Sequence, residues 1–376
     1  MSSASPKKVL VCPLNWGWGH ASRMIPLVHL LSEIKEFEVI LGISGSSGEM
    51  LKSEFPRLKA IQMPAFTVTY SSRATQAHKI FCQLPKIIKT TLAEHFFLKK
   101  LISQEQIACV ISDHRYGLFN KNLLSILIIH QLKMKFPPGL KATEKLFNRF
   151  QRSIFGKFDQ VWVPDFPGKD SIAGSLANPP SGLESIFRIG ILSRFLLPGR
   201  KRAEELKVSY DITVVLSGLE PQRSMLEKTL IPQLETMNKK VLFVRGVPGE
   251  KGFSEKNGIT YVTRLSTPDM ADALTPASLV ICRSGYSSVM DLLALGKRAV
   301  LIPTPGQPEQ EYLAEYLKNK GYFFSQKQSE LDIQLAIKAS REYNPPRISG
   351  FSETLYERLK WLKNRLEKDE GKHQYG

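Results

Sequence analysis

Short β-branched and aliphatic runs alternate with longer segments whose apolar positions recur every three or four residues. In the first half the runs predict strands over Lys8–Cys12, Glu38–Ile43, Leu58–Gln62, Cys109–Ser112, Ile126–Ile129 and Gln160–Val163. In the second half they predict strands over Asp211–Leu216, Lys240–Val244, Ile259–Val262, Leu279–Cys282, Ala299–Ile302 and Tyr322–Phe324. Alternation of this kind means βαβ units and parallel sheets covered on both faces. The segment Ser352–Lys368 carries Leu355, Leu359, Leu362 and Leu366 at helical spacing, and Ser352 and Glu353 suit a helix start.

At 376 residues the chain exceeds one ordinary core. A Gly/Pro/Ser-rich stretch from Gly168 to Gly199 lies between the halves and includes Asn178-Pro179-Pro180-Ser181-Gly182. The basic, helix-prone segment Arg200–Lys207 and a fresh strand at Asp211 follow it. The expected division is therefore 1–195, 196–350 and a C-terminal helix and tail, 351–376, packing back on the first domain. The fold class is α/β, with two doubly wound, Rossmann-like parallel-sheet domains facing a cleft. Ligands bind at the strand C-termini of open α/β sheets, so two such sheets imply two ligands and a reaction between them.

Composition narrows the class. With 42% apolar and 23% charged residues, a disordered or fibrous chain is excluded. Four scattered cysteines without C-x-x-C spacing argue against a disulfide framework or a zinc site and suit a reducing compartment. The longest aliphatic stretch, Leu123–Ile129, falls far short of the roughly 20 residues of a membrane span, and the polar start resembles no signal peptide. A cytoplasmic location is expected. The charge is less ordinary, because 52 basic against 35 acidic residues leave +17. Lys79–Lys157 alone holds 14 basic and 4 acidic residues. Such a field attracts nucleic acid, anionic lipid headgroups or phosphorylated substrates; a solvated basic surface without a specific partner is the other reading.

Four segments carry candidate chemistry. The first is Asn15-Trp16-Gly17-Trp18-Gly19-His20-Ala21-Ser22-Arg23, between the first strand and a helix over Met24–Leu31. Gly17 and Gly19 allow a tight turn and close backbone approach at a helix N-terminus. Arg23 stands near where a dinucleotide fingerprint wants its third glycine, and no clear acidic residue ends the second strand, which argues against NAD. His20 reads either as functional or as a satisfied structural histidine. The second segment is Cys282-Arg283-Ser284-Gly285-Tyr286-Ser287-Ser288-Val289-Met290-Asp291, opening a helix over Ser288–Leu295 that Gly296 ends. Its Ser/Gly turn suits a diphosphate, and Asp291 a ribose diol; alternatively Ser287 or Ser288 only caps the helix and Asp291 complements its dipole. Third, the loop Pro303–Glu311 can present Gln307 and Gln310 to sugar hydroxyls. Fourth, Leu216–Arg223 offers Ser217 and Gly218 to phosphate, with Arg223 to neutralise charge.

From Cys282–Asp291 through Leu292-Leu293-Ala294-Leu295-Gly296, the Pro303 turn and Gln310-Glu311-Tyr312-Leu313-Ala314, the chain resembles the donor-binding end of GT-B glycosyltransferases. It is most similar to family 28, the MurG-type N-acetylglucosaminyltransferases that make lipid II on the inner face of the bacterial membrane. The resemblance implies a nucleotide-diphosphate sugar, usually UDP-linked, on the second domain and an acceptor on the first. It places Ser217, Gly218 and Ser284, Gly285, Tyr286, Ser287 and Ser288 at the diphosphate, Asp291 at the ribose and Gln310 at the sugar. By the same resemblance Leu265 touches the uracil and Arg194 is the basic residue at the crossing between domains. Asp291 stands where the family more usually has Glu, and the first turn has two tryptophans where the lipid II enzymes are richer in glycine.

The expected reaction is an inverting glycosyl transfer. His20 is the first candidate for the base, since an imidazole titrates near neutrality, and Asp113 and His114 after the Cys109–Ser112 strand are the others. The helix N-terminus at Ser287 and nearby arginines would hold the leaving-group charge. No Asp-x-Asp occurs, so neither metal nor cofactor is expected. His78–Leu101 and Leu140–Phe155 mix Phe, Leu and Ile with Lys and Arg, which suits peripheral binding to an anionic cytoplasmic leaflet and a glycan or lipid-linked acceptor. Core-facing apolar residues beneath a solvated basic face are the alternative. Two other functions remain open: a GT-B sugar-nucleotide epimerase or hydrolase, and a nucleic-acid binder. No basic-aromatic motif or recognition fold supports the latter, so no nucleic-acid partner is expected.

Overall fold

The computed structural model describes residues 5–65, 84–133, 141–180, 182–197, 210–218, 220–247 and 252–368. The predicted helix-prone segment Arg200–Lys207, Leu219, Ser181, and the parts of the two basic segments before residue 84 and at residue 140 lie outside them. The described residues form two compact units, one from 5–65, 84–192 and 351–368, the other from 193–350.

The first unit runs β1 (Lys7–Cys12), α1 (Trp18–Ser32), β2 (Phe37–Ile43), α2 (Gly45–Glu54), β3 (Ala60–Gln62), α3 (Leu84–Glu105), β4 (Ile107–Asp113), β5 (Leu124–Ile128), α4 (Lys141–Phe155), β6 (Gln160–Val163) and β7 (Ile186–Arg188). All seven strands are parallel, in the order β3-β2-β1-β4-β5-β6-β7. Val9–Cys12 are completely buried, as a central strand covered on both faces must be. Beside them a Cβ at Gly42 would run into Cys12 Sγ, so a larger residue there requires this buried side chain to shift.

The second unit runs β8 (Ile212–Val215), α5 (Gln222–Glu235), β9 (Val241–Val244), β10 (Phe253–Lys256), β11 (Ile259–Val262), α6 (Thr267–Leu274), β12 (Leu279–Cys282), α7 (Tyr286–Leu295), β13 (Ala299–Leu301), α8 (Pro308–Asn319), β14 (Phe324–Ser325) and α9 (Ile333–Ala339). Its strand order is β10-β11-β9-β8-β12-β13-β14, parallel except where β10 meets β11. Helix α10 (Glu353–Lys368) groups with the first unit. Ser352 starts it: its Oγ accepts from Leu355 N at 3.2 Å and donates to the Ile189 carbonyl. Leu355, Leu359, Leu362 and Leu366 are its buried face, and Lys363 reaches Glu36 at 2.6 Å.

Several elements depart from the sequence reading. Helix α1 begins at Trp18 rather than Met24, and α7 at Tyr286 rather than Ser288. The stretch Gly168–Gly199 contains β7, and Asp165 ties it to the first sheet by accepting from Ile172 N at 2.7 Å and Ser171 Oγ at 2.6 Å. Strand β10 was not foreseen; Asn257 and Gly258, both at positive φ, turn it back antiparallel on β11. No described helix is long and apolar enough to cross a membrane.

In each sheet the strand order reverses beside its first strand, between β1 and β4 and between β8 and β12. Connections leave in opposite directions at such a point, and the strand C-termini border a crevice there.

Candidate active site

In the first unit the crevice edge is formed by the turn after β1 and the end of β4. Gly17, at φ +99°, makes a bend that L side chains rarely adopt, and Ser47 Oγ donates to its carbonyl at 2.8 Å. This bend lets α1 start at once, so His20 lies in the first helical turn and Arg23 one turn on, on the same face. Both meet Asp113, the last residue of β4, because β1 and β4 are neighbours. His20 Nδ1 lies 2.8 Å from Asp113 Oδ2. Arg23 donates from Nη2 to Oδ1 at 2.6 Å and from Nε to both carboxylate oxygens at 3.1 Å. Asp113 is wholly buried and Arg23 only 2% exposed, whereas the His20 side chain retains 16% of its surface.

Two further histidines complete the cluster. Arg23 Nη1 donates to His130 Nδ1 at 3.1 Å, and His114 Nε2 lies 3.0 Å from the same nitrogen. His114, at φ +53°, sets its ring edge-on to His20 with centroids 5.4 Å apart. Burial, then the Arg23 charge, hold the His20 pKa below its usual value, with Asp113 pulling the other way. Burial, His130 and Arg23 push His114 lower still. Burial works against ionisation of Asp113, but Arg23 and His20 together hold its carboxyl well below the usual range. His20 Nδ1 stands between an acceptor and a donor, because Arg23 Nη2 also approaches it to 2.5 Å; with the hydrogen on Nδ1 it donates to the ionised carboxylate, and the Nε2 lone pair is then the base. Nε2 has no hydrogen-bond partner among the described residues. Arg115, in the same segment as Asp113 and His114, turns away to Glu94 at 2.9 Å and Ser44 Oγ at 3.2 Å.

The second unit builds its crevice edge from the turns after β8, β12 and β13. Arg283, 1% exposed, donates among the described residues to three backbone carbonyls: Gln222 at 2.7 Å, Pro303 at 3.1 Å and Ile302 at 3.4 Å. It therefore pins all three turns, and burial lowers its pKa to about 10. Ser284 Oγ donates to the Gln310 carbonyl at 2.8 Å, and Gln310 Oε1 accepts from Thr304 N at 2.9 Å. The Ser284 hydroxyl and Gln310 Oε1 are thus part of the frame. Gly285 is the N-cap of α7 and supplies no side-chain cap; Ser287 and Ser288 follow it, half-buried, and Tyr286 is buried. Ser217 and Gly218, the latter at φ +101°, follow β8. Gln307 precedes α8, and Leu265 lies half-buried ahead of α6.

Two arginines of the predicted set have partners within the second unit. Arg223 is held by Glu220 at 2.7 Å and Glu227 at 2.6 Å, so its charge is already matched. Arg194, buried, donates to Thr267 Oγ1 at 3.2 Å and lies 3.7 Å from Asp291 Oδ2. Asp291 Oδ1 accepts from Ser193 Oγ at 2.6 Å. The structure thus brings His20 to Asp113 and Arg194 to Asp291. The parts that sequence reasoning missed are Arg23 as a clamp, His130, Ser193 and the carbonyl cage around Arg283. Arg23, three residues from His20 and therefore on its face of a helix, was the one with a local signal.

Comparison with known proteins agrees with this layout. The glycosyltransferase family 28 C-terminal domain matches residues 232–353. An uncharacterized glycosyltransferase of Methanosarcina mazei is 23% identical over 84% of this chain and 84% of its own. The UDP-N-acetylglucosamine–N-acetylmuramyl-(pentapeptide) pyrophosphoryl-undecaprenol N-acetylglucosamine transferase of Xanthomonas axonopodis is 26% identical over 62% of this chain and 51% of its own. Among solved structures, MurG of Acinetobacter baumannii superposes with a TM-score of 0.51 at 15% identity, covering 96% of this chain and all of its own. A putative UDP-N-acetylglucosamine 2-epimerase from Listeria monocytogenes gives 0.59 at 16% identity over 97% of each chain. The fold is GT-B, two Rossmann-like domains in one chain. Residues 232–353 thus match a glycosyltransferase family 28 C-terminal domain, and over most of its length the chain is similar to glycosyltransferases.

Proposed function

We propose that the chain moves a hexose, with UDP-N-acetylglucosamine as the first donor to consider, onto a hydroxyl of a glycan or lipid-linked, membrane-proximal acceptor, with inversion. The buried Asp113–His20 pair carries this reading, because it orients an imidazole and leaves Nε2 open. His20 Nε2 takes the acceptor hydroxyl's proton as that oxygen attacks the anomeric carbon. The bond from that carbon to the diphosphate oxygen breaks, and UDP leaves with the electron pair.

In this reading the first unit holds the acceptor near Gly17 and Gly19, and the second holds the donor. Ser217, Gly218 and the start of α7 at Gly285, Tyr286, Ser287 and Ser288 take the diphosphate, whose growing charge the helix dipole favours. Arg283 and Arg223 are committed elsewhere and give no direct contact. Asp291 takes the ribose, displacing Ser193, while Leu265 meets the uracil. Gln307 and the Gln310 amide nitrogen turn to the sugar. Arg194 acts through Asp291.

An anionic cytoplasmic membrane surface is the proposed location. Ile88, Leu92 and Phe96 are 56%, 55% and 68% exposed, and their spacing of four sets them on one stripe of α3. Exposed Lys86, Lys89, Lys99 and Lys100 flank the stripe, and on α4 the exposed Phe150 lies between Arg149 and Arg152. An apolar stripe edged with cations suits an anionic bilayer. Co-sedimentation with anionic vesicles at low salt, lost on Phe96→Asp, is the expected result; a chain that stays in the supernatant refutes the membrane reading.

The donor is tested by thermal shift with UDP, UDP-N-acetylglucosamine, UDP-glucose, UDP-galactose, GDP-mannose and NAD without added metal. A ligand that binds only the folded state raises Tm. UDP compounds should do so in the wild type and not in Asp291→Ala; no response to any of them counts against the donor assignment.

A further inference from the structure

His20 faces a contradiction that Arg23 resolves. A buried carboxylate 2.8 Å from an imidazole normally draws a second proton onto the ring, and an imidazolium is no base. The groups facing His20 are Arg23 from its own helix, Asp113 from the end of β4, His114 from the loop after β4 and His130 after β5. With the imidazoles neutral, Arg23 and Asp113 cancel. A proton on His20 would leave this buried set with a net positive charge that nothing in it balances.

We propose that Arg23 is a positioning residue for the transfer: its guanidinium neutralises Asp113, so the carboxylate can orient His20 without protonating it, and Nε2 stays open. The inference rests on His20 being the base, as argued above. Geometry supports it independently. Arg23 commits Nε and Nη2 to the carboxylate and Nη1 to His130, and Nη2 also faces His20 Nδ1 at 2.5 Å, where it competes with Asp113 for that nitrogen and brings its charge against the ring. A second cation at that distance resists another proton on the ring. Lysine would keep the charge and lose the fork; methionine or glutamine would lose both.

The test is nitrogen-15 NMR of the ligand-free, histidine-labelled full chain, titrated from pH 8 to pH 4.5. Wild-type His20 is expected as the Nδ1–H tautomer, with its midpoint below the ordinary histidine value of about 6.5. Arg23→Met and Arg23→Gln should move the midpoint upward by about one pH unit or more, and Arg23→Lys by less. A wild-type midpoint above 6.5, or an Nε2–H tautomer, overturns the proposal even if no variant folds. So does a midpoint that stays put or falls in folded Arg23→Gln. Turnover by His20→Ala is judged separately. If that variant keeps its rate, the base assignment fails, while the titration still decides whether Arg23 holds His20 neutral.

Discussion

The two units solve the same problem, a polar site at a sheet's switch point, with different materials. In the first, side chain meets side chain and charge meets charge: His20, Arg23, Asp113, His114 and His130 form one buried cluster around a single carboxylate. In the second, side chains brace backbone, with Arg283 on three carbonyls, Ser284 on a fourth and Gln310 on the Thr304 amide. A charged cluster tunes protonation and is sensitive to pH. A backbone brace holds the shape of turns and responds mainly to changes in volume and bonding. The sharpest contrast is in histidine content, because none of the chain's seven histidines falls within 193–350.

The largest effect should come from the charged cluster. His20→Ala is expected to cut turnover by roughly a hundredfold to ten-thousandfold, the usual contribution of a positioned base, with little change in Tm. Near-full turnover at saturating donor and acceptor would end the comparison, since the cluster would then be structural.

Acid should next separate the units. Both His20 and His114 bind protons less readily folded than unfolded. The unfolded chain takes up protons as pH drops through about 6.5 while the folded one does not, so stability contributed by these groups is complete above that pH and declines below it. The slope is about 1.4 kcal/mol per pH unit for each histidine. Peptide-resolved hydrogen exchange at pH 7, 6 and 5 should show the first unit losing protection and residues 193–350 keeping theirs. Equal loss in both would place the acid sensitivity elsewhere.

The brace gives the opposite signature. Arg283→Met leaves buried carbonyls of Gln222, Ile302 and Pro303 without their donor, at a cost of about 3 kcal/mol in unfolding free energy. The melt should fall, pH dependence between 5 and 7 should stay as in wild type, and UDP should bind more weakly because three turns loosen together. A variant as stable as wild type would mean that the carbonyls find other donors.

How much of this could be read from the chain follows the same division. The central strands were legible because their apolar runs are bounded by turn residues, and α10 because its four leucines keep helical spacing. Trp18–Ser22 read as a loop because the run Trp16–His20, with two tryptophans, two glycines and a histidine, obscured a helical turn that Gly17 makes feasible. Strand β10 had a signal, Asn257-Gly258, but its four exposed residues have no apolar face to read. Of the site, His20 and Asp113 were each visible as polar residues after a strand. Their meeting, and Arg23's bond to a residue 90 positions away, depend on β1 lying beside β4, which no local pattern states. Ser193 and Asp291 are 98 positions apart and hidden for the same reason.

The smallest expected effect tests whether the second unit's carboxylate is occupied only provisionally. Ser193 Oγ donates to Asp291 Oδ1 at 2.6 Å and accepts from Phe195 N at 3.2 Å. If a ribose diol uses the same carboxylate oxygen, hydroxyl and nucleotide compete, and Ser193→Ala removes the competitor. One neutral-to-charged hydrogen bond lost from the empty state should strengthen UDP binding by about threefold to tenfold in calorimetry. The control is 2′,3′-dideoxyuridine diphosphate, which keeps base and diphosphate but has no diol to take the vacated place. A gain confined to UDP puts Asp291 at the ribose. An equal gain with both nucleotides moves Asp291 away from it, and a loss with both makes Ser193 part of what holds the turn after β12 in shape.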